Sequence, residues 1–160
     1  MLSKQTLVQA IQAQLQKEFA TISQAAQAAH EAATHEESKP EDSHDTRGLE
    51  ASYLAGAQAN RAAELKNLIT LYNMLPIKDF SLGDPIDLGA LIELELDNQK
   101  SLYFLVSQGG GLKVKLEGRL IQVITPQAPL GDALIGKKSG DAVEVEVQNR
   151  VREYEVTGVY

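Results

Sequence analysis

The chain has no cysteine and no tryptophan in 160 residues, and aromatic side chains make up only 5% of it. Without cysteine there is no disulfide, no thiolate metal site and no cysteine nucleophile, a composition that fits a reducing cytoplasm. With aromatics scarce, packing falls to Leu, Ile, Val and Ala. No apolar run approaches the roughly eighteen residues a membrane-spanning helix needs. The opening MLSKQTLVQAIQAQLQKEF holds neither a continuous apolar stretch nor a small-residue cleavage site, so no secretory signal is expected. An excess of positive charge is missing too. The formal net charge is −7, with nine acidic against six basic residues before Pro76 and thirteen against nine from there on. Affinity for nucleic acid rests mostly on Lys and Arg neutralising phosphates. Any role near DNA or RNA is therefore expected to run through another protein, with no direct sequence-specific nucleic-acid binding and no membrane partner.

What is present changes character near Pro76. Before it, Val8, Ile11, Leu15, Phe19, Ile22, Ala26, Ala29 and Ala33 recur at steps of three and four, one stripe on a near-heptad helix. A second stripe runs through Leu54, Gln58, Arg61, Leu65, Leu68, Tyr72 and Leu75. The first stripe tapers from large residues to alanines, and the second has its large residues at the far end. The two tapers match in an antiparallel pair whose alanine-rich ends meet at the turn. Two helices of about 28 residues make a hairpin roughly 40 Å long. Pro40 breaks any continuous helix between them, and Asp45 or Thr46 is a candidate cap for the second.

After Pro76 the pattern is of strands. Ala90–Leu96 and Ala142–Val147 alternate apolar with acidic residues; Leu102–Val106, Leu120–Ile124 and Val151–Val159 complete the set. Gly109–Gly111 is expected as a hairpin turn, Asn149 marks another turn, and Pro129–Ile135 is expected as a short helix. The fold class is then α+β: an antiparallel helical hairpin (coiled coil) over residues 1–75, then a small antiparallel β domain with one short helix over 76–160.

The loop at residues 34–48 is the most unusual segment. Between positions 31 and 50 stand Glu31, Glu36, Glu37, Glu41, Asp42, Asp45 and Glu50 against Lys39 and Arg47. One reading is a solvated turn. The other is a tip that presents carboxylates to Mg²⁺, which takes oxygen ligands and often only one or two carboxylates from protein. Delivered into another enzyme's site, such a carboxylate could complete a two-metal arrangement. A transition-metal site at His30, His35 and His44 fits no standard ligand spacing. A Ser-His-Asp hydrolase lacks both the Gly-x-Ser-x-Gly elbow and rigid support. The triple glycine has no following Lys-Ser/Thr, so it is no phosphate cradle. A prolyl isomerase would need an aromatic-walled pocket, and this half holds only two Phe and three Tyr.

Thr125–Asp141, TPQAPLGDALIGKKSGD, resembles the C-terminal signature of the Gre family of bacterial transcription elongation factors. Pro129, Leu130, Gly131, Ala133, Leu134, Ile135, Gly136, Lys137, Gly140 and Asp141 match it, while Ala128 and Thr125 stand where the family has Ser. The closing Arg152–Val156 and Val159-Tyr160 also match, and the hairpin extends the likeness in the same order. The resemblance implies an FKBP-like sheet that docks on RNA polymerase through Ala128, Pro129, Leu130, Gly131 and Leu134. It also implies a hairpin entering the secondary channel, and tip carboxylates that help hold a Mg²⁺ shared with the polymerase while it cleaves backtracked RNA. The factor would then be no enzyme of its own and would bind no cofactor tightly. The tip departs from the family pattern: between Asp45 and Tyr53 one residue is extra, and the second carboxylate falls at Glu50. Asp45 and Glu50 are the expected metal-directed pair, with Glu41 and Asp42 next. A Gre-like channel regulator that does not stimulate cleavage is the alternative.

Overall fold

The computed structural model describes residues 2–35, 39–42 and 46–160. They form two compact units, one of Ile11–Met74 and one of Met1–Ala10 with Leu75–Tyr160. The boundary at residue 75 matches the change of composition there. The first ten residues, given to the hairpin by periodicity alone, group with the sheet, because a helical stripe does not reveal what covers it.

In the first unit, α1 (Lys4–Thr34) and α2 (Arg47–Asn73) form the helical hairpin. Neither proline nor glycine interrupts α1. The Ser3 hydroxyl oxygen lies 3.4 Å from the Thr6 amide as an N-terminal cap. Ile11, Leu15 and Ala29 of α1 and Leu65 and Tyr72 of α2 are buried. The Gln12 side-chain amide donates to the Tyr72 carbonyl at 3.0 Å, and Arg61 meets Glu18 at 2.8 Å. All eight residues of the first expected stripe are buried or half-buried.

The second stripe needs correction. Leu54 is 53% exposed and Arg61 is exposed, while Ala51, Ala55, Gln58 and Ala62 are half-buried. The covered line lies one residue further on at both places. Small side chains permit closer approach than branched ones, so alanines take the seam and Arg61 stays at its flank beside Glu18.

The second unit is a six-stranded sheet of order β3-β4-β2-β1-β6-β5. Its strands are β1 (Leu91–Leu96), β2 (Gln99–Leu105), β3 (Lys113–Leu116), β4 (Arg119–Ile124), β5 (Ala142–Val147) and β6 (Arg150–Val159). Helix α3 (Pro129–Leu134) lies between β4 and β5 in the chain. Every neighbouring pair is antiparallel except β2 with β4. Asp97-Asn98, Glu117-Gly118 and Gln148-Asn149 all have positive φ, the geometry of two-residue hairpin turns that follow the strand twist.

Gly109–Gly111 is not such a turn. It lies between β2 and β3, which are not neighbours, and the Gly111 amide donates to the Val123 carbonyl at 2.9 Å. The parallel β2–β4 pair forces the chain to pass outward first and return as β4. Strand β3 escaped the sequence reading because four residues with two exposed lysines carry only one buried side chain, Val114. Charge and shortness are how exposed edges avoid pairing with other chains.

One face of the sheet packs Ile92, Leu94, Leu105, Ile124, Val143, Val145 and Val156 around Leu134 of α3. On the opposite face Leu91, Leu102, Phe104, Ile121 and Val123 are also buried. Residues 2–10 join this unit through Lys4, the single buried charged residue among those described. Its ammonium donates to the carbonyls of Lys78 and Gly89 and lies 4.8 Å from the centre of the Phe80 ring. Burial lowers the Lys4 pKa, and the charge of Asp79 opposes that shift. Exchanging Lys4 for Met keeps the apolar stem but removes both hydrogen bonds. The expected loss is about 1–3 kcal/mol, read as a lower urea midpoint at unchanged m-value.

Burial also pushes the Tyr72 phenol well above the ordinary tyrosine value of 10.0. The folded chain therefore holds this proton after the unfolded chain has released it. Stability from this group is complete below about pH 10 and falls as pH rises beyond it. In Tyr72→Phe that part of the alkaline loss should vanish, so the gap between urea midpoints at pH 8 and pH 11 should narrow.

Candidate functional site

Two regions carry the expected functional residues: the hairpin loop and the turn entering α3. Within the loop, Asp45, His44, Glu36 and Glu37 lie outside the described residues. Glu41, Asp42 and Glu50 are described and exposed. A Glu41 carboxylate oxygen lies 3.7 Å from Arg47, an ion pair with both side chains largely in water. Such pairs contribute little and weaken with salt.

Thr46 occupies the N-cap position of α2, yet its side chain makes no cap hydrogen bond. The Thr46 hydroxyl donates instead to the Glu50 carboxylate at 2.9 Å. Glu50 sits in the first turn of α2, where the helix macrodipole favours negative charge. Among the described residues, no three His, Asp or Glu groups come together so as to hold a metal ion. The oxygen donors suit a hard cation, but only as part of a ligand set completed from elsewhere. Leu49 and Tyr53, one helical turn apart on α2, are 55% and 72% exposed and add an apolar element beside the acidic loop.

The turn into α3 is rigidly made. Pro129 starts the helix, where its fixed φ and missing N–H cost nothing. Ala128 at the N-cap supplies no hydroxyl acceptor, and no side-chain cap bond forms. The Ala128 amide donates to the Thr125 carbonyl at 3.0 Å, and the Asp132 amide donates to the Ala128 carbonyl at 2.9 Å. The far end is tied to the chain before β1, where the Gly136 amide donates to Ile86 and the Ile86 amide to Lys137.

The five residues expected at a docking surface separate into two groups. Pro129 is exposed and Ala128 and Leu130 are half-buried, whereas Gly131 and Leu134 are buried. A Cβ at Gly131 would stand 2.0 Å from the Thr125 carbonyl oxygen, so only glycine lets the helix lie against that backbone. Gly131 and Leu134 thus shape the surface from beneath. Ile135, 43% exposed, and the exposed Asp132 extend it. The sequence reading did not name these two as docking residues, since the chain's order does not show which side chains a short helix and its cap leave uncovered.

Residues 82–160 match the family model described as the C-terminal part of the transcription elongation factors GreA and GreB. The transcription elongation factor GreA of Brucella anthropi is 32% identical over 117 residues, spanning 68% of this chain and 69% of that one. That of Mesorhizobium japonicum is 30% identical over 125 residues, spanning 73% and 74%. Among solved structures, GreA factor homolog 1 of Thermus thermophilus is similar at 20% identity and a TM-score of 0.40, over 93% of this chain and 94% of that one. The sequence matches put the chain in the class of Gre-type transcription elongation factors. It belongs to the GreA/GreB family. No described helix is long and apolar enough to cross a membrane.

The buried glycine gives a direct check on the turn. Gly131→Ala should destabilise the sheet unit by about 1–3 kcal/mol, because the backbone at Thr125 must move to admit a methyl group. Thermal denaturation of the two proteins measures it.

Proposed function

We propose that this chain binds RNA polymerase, places its hairpin in the secondary channel and stimulates cleavage of backtracked RNA by the polymerase itself. The single observation that carries the reading is the match of residues 82–160 to the GreA/GreB model, joined by GreA relatives aligned over two thirds or more of the chain. In this reading Pro129, Ala128 and Leu130 meet the polymerase, with Gly131 and Leu134 holding their turn in shape. Asp45 and Glu50, with Glu41 and Asp42 as the next candidates, reach the polymerase active site as additional oxygen ligands. A Mg²⁺ held there jointly would supply Lewis-acid activation of a water molecule. The chain's own part is to deliver and orient carboxylates, and it is not an enzyme by itself.

The Thr46 hydroxyl donates to one Glu50 carboxylate oxygen, and a carboxylate so held can ligate a cation through its other oxygen or release the hydroxyl. An exposed hydrogen bond of that kind contributes on the order of 1 kcal/mol, which a carboxylate–dication contact readily offsets. The net acidic surface of the chain supports action through a protein partner, since it offers phosphates little attraction.

The test uses halted polymerase complexes that have backtracked, with and without the purified chain. Shortened transcripts should appear with the intact protein. The double variant Asp45→Asn, Glu50→Gln should lose at least tenfold in cleavage rate while still competing with intact protein for polymerase. Should the intact chain bind but produce no shortened transcript, cleavage stimulation is rejected and a non-cleaving channel regulator takes its place.

A further inference from the structure

Away from the tip and the α3 turn, the sheet carries a built groove on the side of Leu91 and Leu102. Two adjoining hollows of about 440 and 390 Å³ share Glu93, Lys100, Leu102 and Arg119 as lining. This falls within the usual volume of small-molecule sites, which combine an apolar floor with a few convergent polar groups.

The polar groups are organised from below. Glu93, with its side chain 15% exposed, accepts from the Lys100 ammonium at 2.8 Å and from the Thr157 hydroxyl at 2.8 Å. The Lys100 hydrogen bond, against the effect of burial, holds Glu93 below the ordinary carboxylate value. Lys100 is thereby pinned at the groove, with Glu95 its register partner across β1 and β2. Arg119, at the start of β4, lines both hollows, and its charge also acts on Glu93, lowering that carboxyl's pKa. Two cations, Lys100 and Arg119, thus line the groove against one carboxylate, Glu93.

The wall is aromatic. Tyr160 lines one hollow, and its backbone exchanges hydrogen bonds with Leu91 at 2.8 and 2.9 Å. A Cβ at Gly158 would stand 2.6 Å from the Tyr160 hydroxyl and 2.8 Å from its ring carbons. The ring thus occupies space that a side chain at residue 158 would contest. Gly158 is also the register partner of Glu93, which places the ring beside the pinned ion pair.

We infer that this groove binds a small organic anion, its carboxylate or phosphate meeting the Arg119 guanidinium and its flat apolar body lying against Tyr160 and Leu102. Guanidinium suits both oxyanions because its forked donors match them in pairs. Glu93 acts as a positioning residue, keeping Lys100 at the second edge of the anion. The inference rests on the sheet unit alone and stands apart from the proposed polymerase function.

Benzoate, phenyl phosphate and inorganic phosphate are titrated into the isotope-labelled full chain while its amide signals are followed by NMR. At least one of the two aromatic anions should shift Arg119, Lys100 and Tyr160 saturably, and the tighter one identifies the acid group preferred. Inorganic phosphate alone should bind at least tenfold more weakly than that probe. Arg119→Gln should weaken binding at least tenfold and Gly158→Ala severalfold, with the remaining signals in place as evidence of intact folding. Lys113→Gln removes a cation outside the groove and should change nothing. Absence of saturable shifts with both aromatic anions, or an equal loss in the Lys113 variant, overturns the inference.

Discussion

Strand β1 is the constraint on which the sheet unit is built. It is hydrogen-bonded to β2 along one edge and to β6 along the other, and Leu91 and Ile92 are buried on opposite faces. Burial on both faces leaves a strand no freedom of register, because a slip of one residue would carry every side chain to the wrong side. Ile92 and Leu94 point toward the core that holds Leu134 and so support the α3 turn. Glu93, between them, points the other way and anchors Lys100 and Thr157. One strand thus orients both the α3 turn and the groove on the opposite face.

The hairpin is governed by side-chain size. Large residues are buried at the base of the pair, and half-buried alanines line it toward the loop. Apolar area is what burial rewards, at about 25 cal/mol per Å², so the base carries most of the stability. The loop end is held by fewer apolar atoms and by exposed polar contacts such as Thr46 with Glu50.

Charge is arranged with the same economy. Lys4, buried, is met by two carbonyls and an aromatic face. Glu93, mostly covered, is met by an ammonium and a hydroxyl. Among the described residues no buried side-chain nitrogen or oxygen lacks a hydrogen-bond partner. The remaining charges stand on the surface, where water screens them and where a partner protein or ligand can reach them.

The α+β class, the first helical stripe, five of the six strands and the short helix at Pro129 were all determined by the sequence alone. Periodicity and turn residues report local conformation, and local conformation decides these features. The motif Thr125–Asp141 likewise carries the family likeness in sequence alone. Position across elements was decided only by the tertiary structure. Alanines rather than Leu54 and Arg61 took the seam of α2, β3 joined the sheet outside β4, and Gly131 and Leu134 went under the surface they shape. The meeting of Glu93, Lys100, Arg119 and Tyr160 has no trace in their spacing. Those residues come from three strands and the residue after β6, and backbone pairing across the sheet, not proximity in the chain, brings them together.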